Sequence, residues 1–248
     1  MEEKTTNGTA VERNGGAVEQ NGSAVERNGG AVEKSGNGIT EMVFIIDRSG
    51  SMCGMEADTV GGFNAMIEKQ KKLDGKCYVS TVLFANTASV LHDRVEIQKI
   101  EPMTKQQYVV GGCTALLDAI GGAIHHIGNI HKYAGAEDVP EHTIFVITTD
   151  GMENASREYD SATVKSMIQR QEERFGWEFL FVAANIDAVE TAARIGIRAD
   201  RAADYTQTEA GTRSVYDAVD FAVCSMRRSV PLREEWKGKL NHQRRGKK

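Results

Sequence analysis

No stretch of this sequence stays apolar for anything near the roughly 20 residues that a membrane-spanning helix needs. The N-terminus is polar from its first residue, without the apolar segment of a secretory signal. Cysteine is sparse: Cys53, Cys77, Cys113 and Cys224 are scattered, with no Cys-x-x-Cys pair among them. That spacing argues against a structural zinc site or a disulfide framework, and the expected setting is a reducing cytoplasm. A Gly-x-x-x-x-Gly-Lys-Ser/Thr loop for nucleotide phosphates is also missing. What is present, 40% hydrophobic and 26% charged over 248 residues, suits one globular domain with tails.

Charge is unevenly spread. Residues 1–40 hold four basic and six acidic side chains, residues 227–248 hold nine and two, and the body between them is left at −10. An acidic body argues against a nucleic-acid-binding face on the globular part. Only the basic end, residues 231–248 with Arg244-Arg-Gly-Lys-Lys248, leaves that route open, and solvation is the simpler role for it. Residues 9–36 are four tandem seven-residue repeats, of which Thr9-Ala-Val-Glu-Arg-Asn-Gly15 is the first. Each repeat offers one adjacent Ala-Val pair rather than apolar residues at coiled-coil spacing, and an Asn-Gly or Ser-Gly interrupts every second turn. Too little apolar surface is available to offset the entropy of ordering, so residues 1–40 read as a disordered leader.

The body alternates strand and helix. Residues 42–47 and 143–149 form apolar runs of the kind buried on both faces of a parallel sheet, with further strands at 77–84 and 178–183. Asn86-Thr87 predicts a hairpin onto a short antiparallel edge strand over 88–95, and Ile197 is placed as the start of a minor edge strand. Helices are expected over 55–73, 115–131, 161–174, 187–195 and 208–227. Gly61-Gly62 costs the first of these roughly 1 kcal/mol per glycine against alanine, which a close approach to the sheet or to a site loop would explain. The expected fold class is α/β: a doubly wound, mostly parallel central sheet with one antiparallel edge strand and helices on both faces.

The chemistry gathers where strands end. The first strand runs into Asp47-Arg-Ser49-Gly-Ser51, and ligands in open α/β sheets sit at the carboxyl ends of strands. Three oxygens spaced this way can face one hard cation, though the same residues also suit a serine-rich turn capping the next helix. Thr114, opening a helix after Gly111-Gly112-Cys113, and Asp150, ending the strand at 143–149, add two more oxygen donors. Together the five positions resemble the metal-ion-dependent adhesion site (MIDAS) of von Willebrand factor type A (vWA) domains, whose pattern is Asp-x-Ser-x-Ser, a distant Thr and a distant Asp. The resemblance covers residues 41–228, leaving 229–248 as a basic tail. Asp58-Thr-Val-Gly-Gly-Phe-Asn64, Gly151-Met-Glu-Asn-Ala-Ser156 and Ala184-Asn-Ile-Asp-Ala188 are similar to segments of the compact bacterial and phage members.

The resemblance implies Mg²⁺, with Mn²⁺ as a substitute. It implies Ser49 and Ser51 as direct ligands, Asp47 as a direct or water-mediated one, and Thr114 and Asp150 as ligands whose contact depends on state. It further implies a binding module rather than an enzyme, in which an acidic residue of a protein partner completes the ion's shell. Arg48, Met52, Met55, Glu56, Glu153 and Asn154 flank the loops and are candidate partner contacts. A metal-dependent hydrolase or phosphatase is the alternative. It would want a second carboxylate beside Asp47, and the next positions are Arg48 and Ser49. Cys53 and Cys113, beside two site loops, are expected to be buried small hydrophobes rather than a redox pair. His125, His126 and His131 are expected to be surface or capping residues rather than ligands.

Overall fold

The computed structural model describes residues 38–240. Nearly all of the repeat leader therefore lies outside the described residues, as do residues 241–248 of the basic end.

Strand β1, Thr40–Asp47, is buried at every position. Its side chains alternate between two cores. Met42, Phe44 and Ile46 face helix α1 (Glu56–Gln70) and helix α5 (Glu209–Arg227), while Val43 and Ile45 face helix α2 (Leu116–Tyr133) and helix α3 (Ser161–Phe175). A strand covered on both faces has no solvent side, which is why its sequence reads as a run rather than an alternation. Its neighbours are β2 (Cys77–Phe84) and β4 (His142–Thr149), both parallel to it. Beyond β4 come β5 (Glu178–Ala183) and the three-residue β6 (Ala202–Asp204), also parallel. On the other side β3 (Ala88–Glu96) pairs antiparallel with β2, giving the order β3-β2-β1-β4-β5-β6. The expected mostly parallel sheet with one antiparallel edge strand is the observed one.

Register brings the site together. Asp47 lies opposite Phe84, and Ile46 lies opposite Thr148, so β1 and β4 finish level with one another and Asp150 follows directly. Helix α2 lays Leu116, Leu117, Ile120, Ile124 and Ile127 against the sheet, which fixes its N-terminus, and Thr114 just before it, at this same end. Helix α3 is capped by Asp160, which accepts from the Thr163 N–H at 2.7 Å, and it stops at Gly176 in the left-handed region. Helix α4 (Ala188–Arg194) returns the chain from β5 towards β6.

In the fold itself the structure differs from the sequence expectation in three places. Ile197 belongs to no strand. Gly196, at φ 89°, turns the chain out of α4, and Ile197 is buried in the core beneath α2 and α3. The edge strand forms instead at Ala202–Asp204, whose short Ala-Ala-Asp run carries no periodic signal. Gly62 serves neither the sheet nor a site loop. A Cβ there would lie 2.3 Å from the ring of Tyr216, so the glycine lets α5 close on α1. Lastly, the chain past residue 228 carries a further helix, α6 (Glu235–Leu240), with Trp236 fully buried and Leu232 and Leu240 nearly so. The Trp236 indole N–H donates to the Asp200 carbonyl at 3.0 Å, and Arg201 donates to the Leu232 carbonyl at 3.0 Å.

The antiparallel edge is irregular. Pairing of β2 with β3 shifts register between Val79 and Thr81 and again between Thr81 and Val82. Arg94 there adopts φ 53°, its N–H donating to Ser80 Oγ at 3.0 Å and its Nε to Glu41 Oε2 at 3.1 Å. The same Glu41 oxygen lies 2.7 Å from His131 Nε2, at the opposite end of β1 from Asp47.

Candidate cation site

Asp47 is fully buried at the end of β1. Its two carboxylate oxygens are held separately: Oδ1 accepts from the Ser49 N–H at 2.7 Å, and Oδ2 accepts from the Thr149 hydroxyl at 2.6 Å. Beneath it the Tyr108 hydroxyl donates to the Asp47 carbonyl oxygen. The bond to Ser49 N–H turns the chain back on itself. That brings Ser49 Oγ within 3.0 Å of Ser51 Oγ, and Ser51 Oγ in turn donates to Asp150 Oδ1 at 2.5 Å. Thr114 Oγ1 belongs to the same cluster. A Cβ on Gly151 would stand 3.1 Å from Ser51 Oγ and 3.3 Å from Thr114 Oγ1, so the glycine after Asp150 leaves room for both hydroxyls.

The loops are fastened to one another by backbone. Gly50 N–H donates to the Gly112 carbonyl at 3.0 Å, and Gly111 N–H donates to the Arg48 carbonyl at 2.9 Å. Gly112 sits at φ 83°, and any Cβ on it would meet Asn86 Oδ1 at 2.0 Å. That oxygen accepts from Cys113 N–H at 2.6 Å, fixing the chain just before Thr114. Thr114 itself is clamped from the other side, its N–H donating to Asn154 Oδ1 at 2.9 Å and its carbonyl accepting from Asn154 N–H at 3.1 Å.

The sequence matches no protein-family model and no curated protein. Solved structures do match. A von Willebrand factor type A protein from Catenulispora acidiphila aligns at 14% identity over 74% of this chain and 42% of its own, with a TM-score of 0.50. Proximal thread matrix protein 1 of the mussel byssus, in a structure with a zinc-occupied MIDAS motif, aligns at 14% identity over 78% of this chain and 47% of its own, TM-score 0.52. The fold is that of a vWA domain. A variant of the PilB minor pilin from Streptococcus sanguinis has the same fold, at 12% identity over 77% of this chain and 63% of its own, TM-score 0.53. This chain thus spans less than half the length of the first two proteins and under two thirds of the third.

In this vWA-type fold the five oxygen donors named from the sequence, Asp47, Ser49, Ser51, Thr114 and Asp150, converge at the carboxyl end of the sheet. Their chemistry fits a hard divalent ion, because every converging donor is an oxygen. Their electrostatics fit one as well. Asp47 and Asp150 are both buried, and among the described residues neither forms an ion pair. Burial first, and then the charge of Asp47, push the Asp150 carboxyl above its usual range, against the lowering effect of the Ser51 hydroxyl. Two buried carboxylates without a basic partner favour a cation between them. A carboxyl raised in this way is protonated at a higher pH than an ordinary aspartate, whose pKa is about 3.9. Cation affinity should therefore fall on acidification, beginning above that pH, in a Mn²⁺ titration followed calorimetrically. Affinity unchanged down to the ordinary aspartate range would place Asp150 outside the ion's influence.

The flanking residues separate. Met52 is buried, while Arg48, Met55 and Glu56 are half-buried, with Arg48 Nε buried and without a hydrogen-bond partner. Met55 Sδ accepts from the Thr212 hydroxyl at 3.6 Å, joining α1 to α5. Both oxygens of Glu153 are engaged by its own loop and by α2: Oε1 accepts from the Ala155 and Ser156 N–H groups, Oε2 from Leu117 N–H and Ser156 Oγ. Asn154 is exposed but serves Thr114 as described. The largest exposed apolar side chains on these loops are Val109 and Met152. Cys53 and Cys113, expected to be buried, are both exposed and free, because their loops face outward at the sheet's end. His126 pairs with Asp93 and His125 with Asn129 on the surface, whereas His131 is largely buried against Glu41 and Trp177.

Three residues of the site went unassigned in the sequence. Thr149 orients Asp47, Tyr108 supports the backbone of Asp47, and Gln207 reaches Asp150 from the β6–α5 loop. A threonine ending a strand, a tyrosine in an irregular segment and a lone loop glutamine have no spacing that marks them.

Proposed function

We propose that this vWA domain is a divalent-cation-dependent protein-binding module and not an enzyme. Mg²⁺, with Mn²⁺ as its substitute, would be held by Asp47, Ser49 and Ser51 together with Thr114 and Asp150. An acidic side chain of a protein partner would meet the ion. One observation carries the reading: two buried carboxylates and three hydroxyls converge at one point and, among the described residues, no basic side chain pairs with either carboxylate. The mussel protein with zinc at its MIDAS motif supports the choice of a divalent ion. The ion's charge supplies the attraction, and the exposed rim supplies the discrimination. A charge-assisted contact of this kind is stronger than a neutral one.

Among the described residues no helix is long and apolar enough to cross a membrane, which agrees with a partner met in solution. A cytoplasmic location fits the sparse, free cysteines. The reading is tested by capturing partners from the native extract in Mg²⁺ and again in chelator, with Asp47→Ala as a second control. A protein retained only by the wild-type chain in Mg²⁺, and released when one of its own Asp or Glu residues is replaced, is the expected result. Capture that survives both chelator and Asp47→Ala would move the binding face elsewhere.

A further inference from the structure

Gln207 bonds directly to Asp150. It comes from a fourth loop, outside the three that carry the five donors, and directly precedes Thr208, whose hydroxyl caps α5 by accepting from Gly211 N–H at 3.0 Å. Its amide nitrogen donates twice, to Asp150 Oδ2 at 2.5 Å and to the Ser51 carbonyl at 2.8 Å. Its amide oxygen accepts from Asn185 Nδ2 at 2.6 Å. The reverse amide orientation would set an oxygen against two acceptors and a nitrogen against a donor, so the network fixes which end is which. Asn185 itself occupies the left-handed region, at φ 57°, and its amide also points to the Asp150 carbonyl at 3.4 Å. With Ser51 Oγ donating to Oδ1, both oxygens of Asp150 are under tension from protein donors.

Resting on the cation-site reading above, we propose that Gln207 is a positioning residue. By donating to Asp150 Oδ2 it holds that carboxylate back from direct contact with the ion. It thereby sets how much positive charge the ion keeps for a partner. The chemistry is a competition. A hydrogen bond to an ionised oxygen must be given up, or at least bent, before that oxygen can turn onto a cation. An oxygen released from its donor is both freer and more basic, hence a better ligand. Asn185 is the anchor that keeps the amide of Gln207 aimed at Asp150.

The test uses the full chain, Mn²⁺ alone as the probe, and the variant Gln207→Met, which keeps side-chain length but removes both donors. A thioether does not compete for a hard ion. Mn²⁺ should bind the variant roughly tenfold more tightly, and water-proton relaxation should show fewer exchangeable waters on the bound ion, because a carboxylate oxygen has replaced one. Asn185→Gly removes the anchor while easing the backbone, and should shift both quantities the same way by less. A variant that binds Mn²⁺ with unchanged or weaker affinity and an unchanged water count would overturn the proposal while leaving the cation site standing. Absence of Mn²⁺ binding by the wild-type chain would overturn the cation-site reading and this proposal together.

Discussion

Replacing Asp47 with alanine should abolish Mg²⁺ and Mn²⁺ binding, with a loss in affinity of more than 100-fold. Mutating residues that only orient a metal ligand typically costs about 10- to 100-fold, and Asp47 is placed at the centre of the cluster itself. Its carboxylate is buried, is held by Ser49 N–H on one oxygen and Thr149 on the other, and fixes the turn that brings Ser49 beside Ser51. Alanine removes the charge and loosens the turn at once. The exposed neighbours Cys53 and Cys113 provide the comparison, since Cys53→Ser and Cys113→Ser leave all five oxygens in place. Isothermal titration of the three variants with Mn²⁺ decides the matter. Loss of binding in the serine variants as complete as in Asp47→Ala would favour a thiol-containing site for a softer ion.

Trp236→Ala should destabilise the domain by about 3–5 kcal/mol, the range for truncating a buried aromatic side chain. The indole is fully buried among the residues packed on α5 and β6, and its N–H donates to the Asp200 carbonyl. Two further contacts hold the same segment, Arg201 to the Leu232 carbonyl and Lys237 to the Ala199 carbonyl at 2.6 Å. Ending the chain after Arg228 should therefore cost more than the single substitution. Urea unfolding followed by circular dichroism gives both values. A Trp236→Ala midpoint indistinguishable from that of the wild type would mean that α6 contributes packing without stability.

The parts of the structure that the sequence discloses are those governed by local, repeated constraints. Residues 42–46 and 144–147 are apolar at every position because two layers of helices cover them, and residues 179–183 read the same way. Three of the oxygen donors are legible because a motif of fixed spacing, Asp47 to Ser51, sits where a strand stops, and Thr114 and Asp150 join them through the resemblance to the MIDAS pattern. What escapes depends on partners distant in sequence. Gly62 looks like a flaw in a helix until Tyr216, from α5, is found against it. Gln207 contacts residues 57 and 156 positions away, and no pattern around it announces that reach. Trp236 lies in a segment dominated by basic side chains, whose charge suggests solvation. One buried indole and two leucines reverse that balance, and composition alone does not weigh them. The exposure of Cys53 and Cys113 was missed for a similar reason: free cysteine is usually buried, but site loops project outward.

Open sheets carry a hazard at both margins, where unpaired N–H and carbonyl groups can recruit a strand from another molecule. This sheet closes off one margin by brevity, since β6 is only three residues long. The other is protected by shape and charge. The register shifts beside Thr81, the left-handed Arg94, and the run His92-Asp93-Arg94 break the ladder that an incoming strand would have to match. The domain is thus defended against growing sideways into sheet-linked aggregates or filaments. Under the function proposed above, association would be steered away from the indiscriminate pairing of backbones and towards the end of the sheet, where side chains can choose.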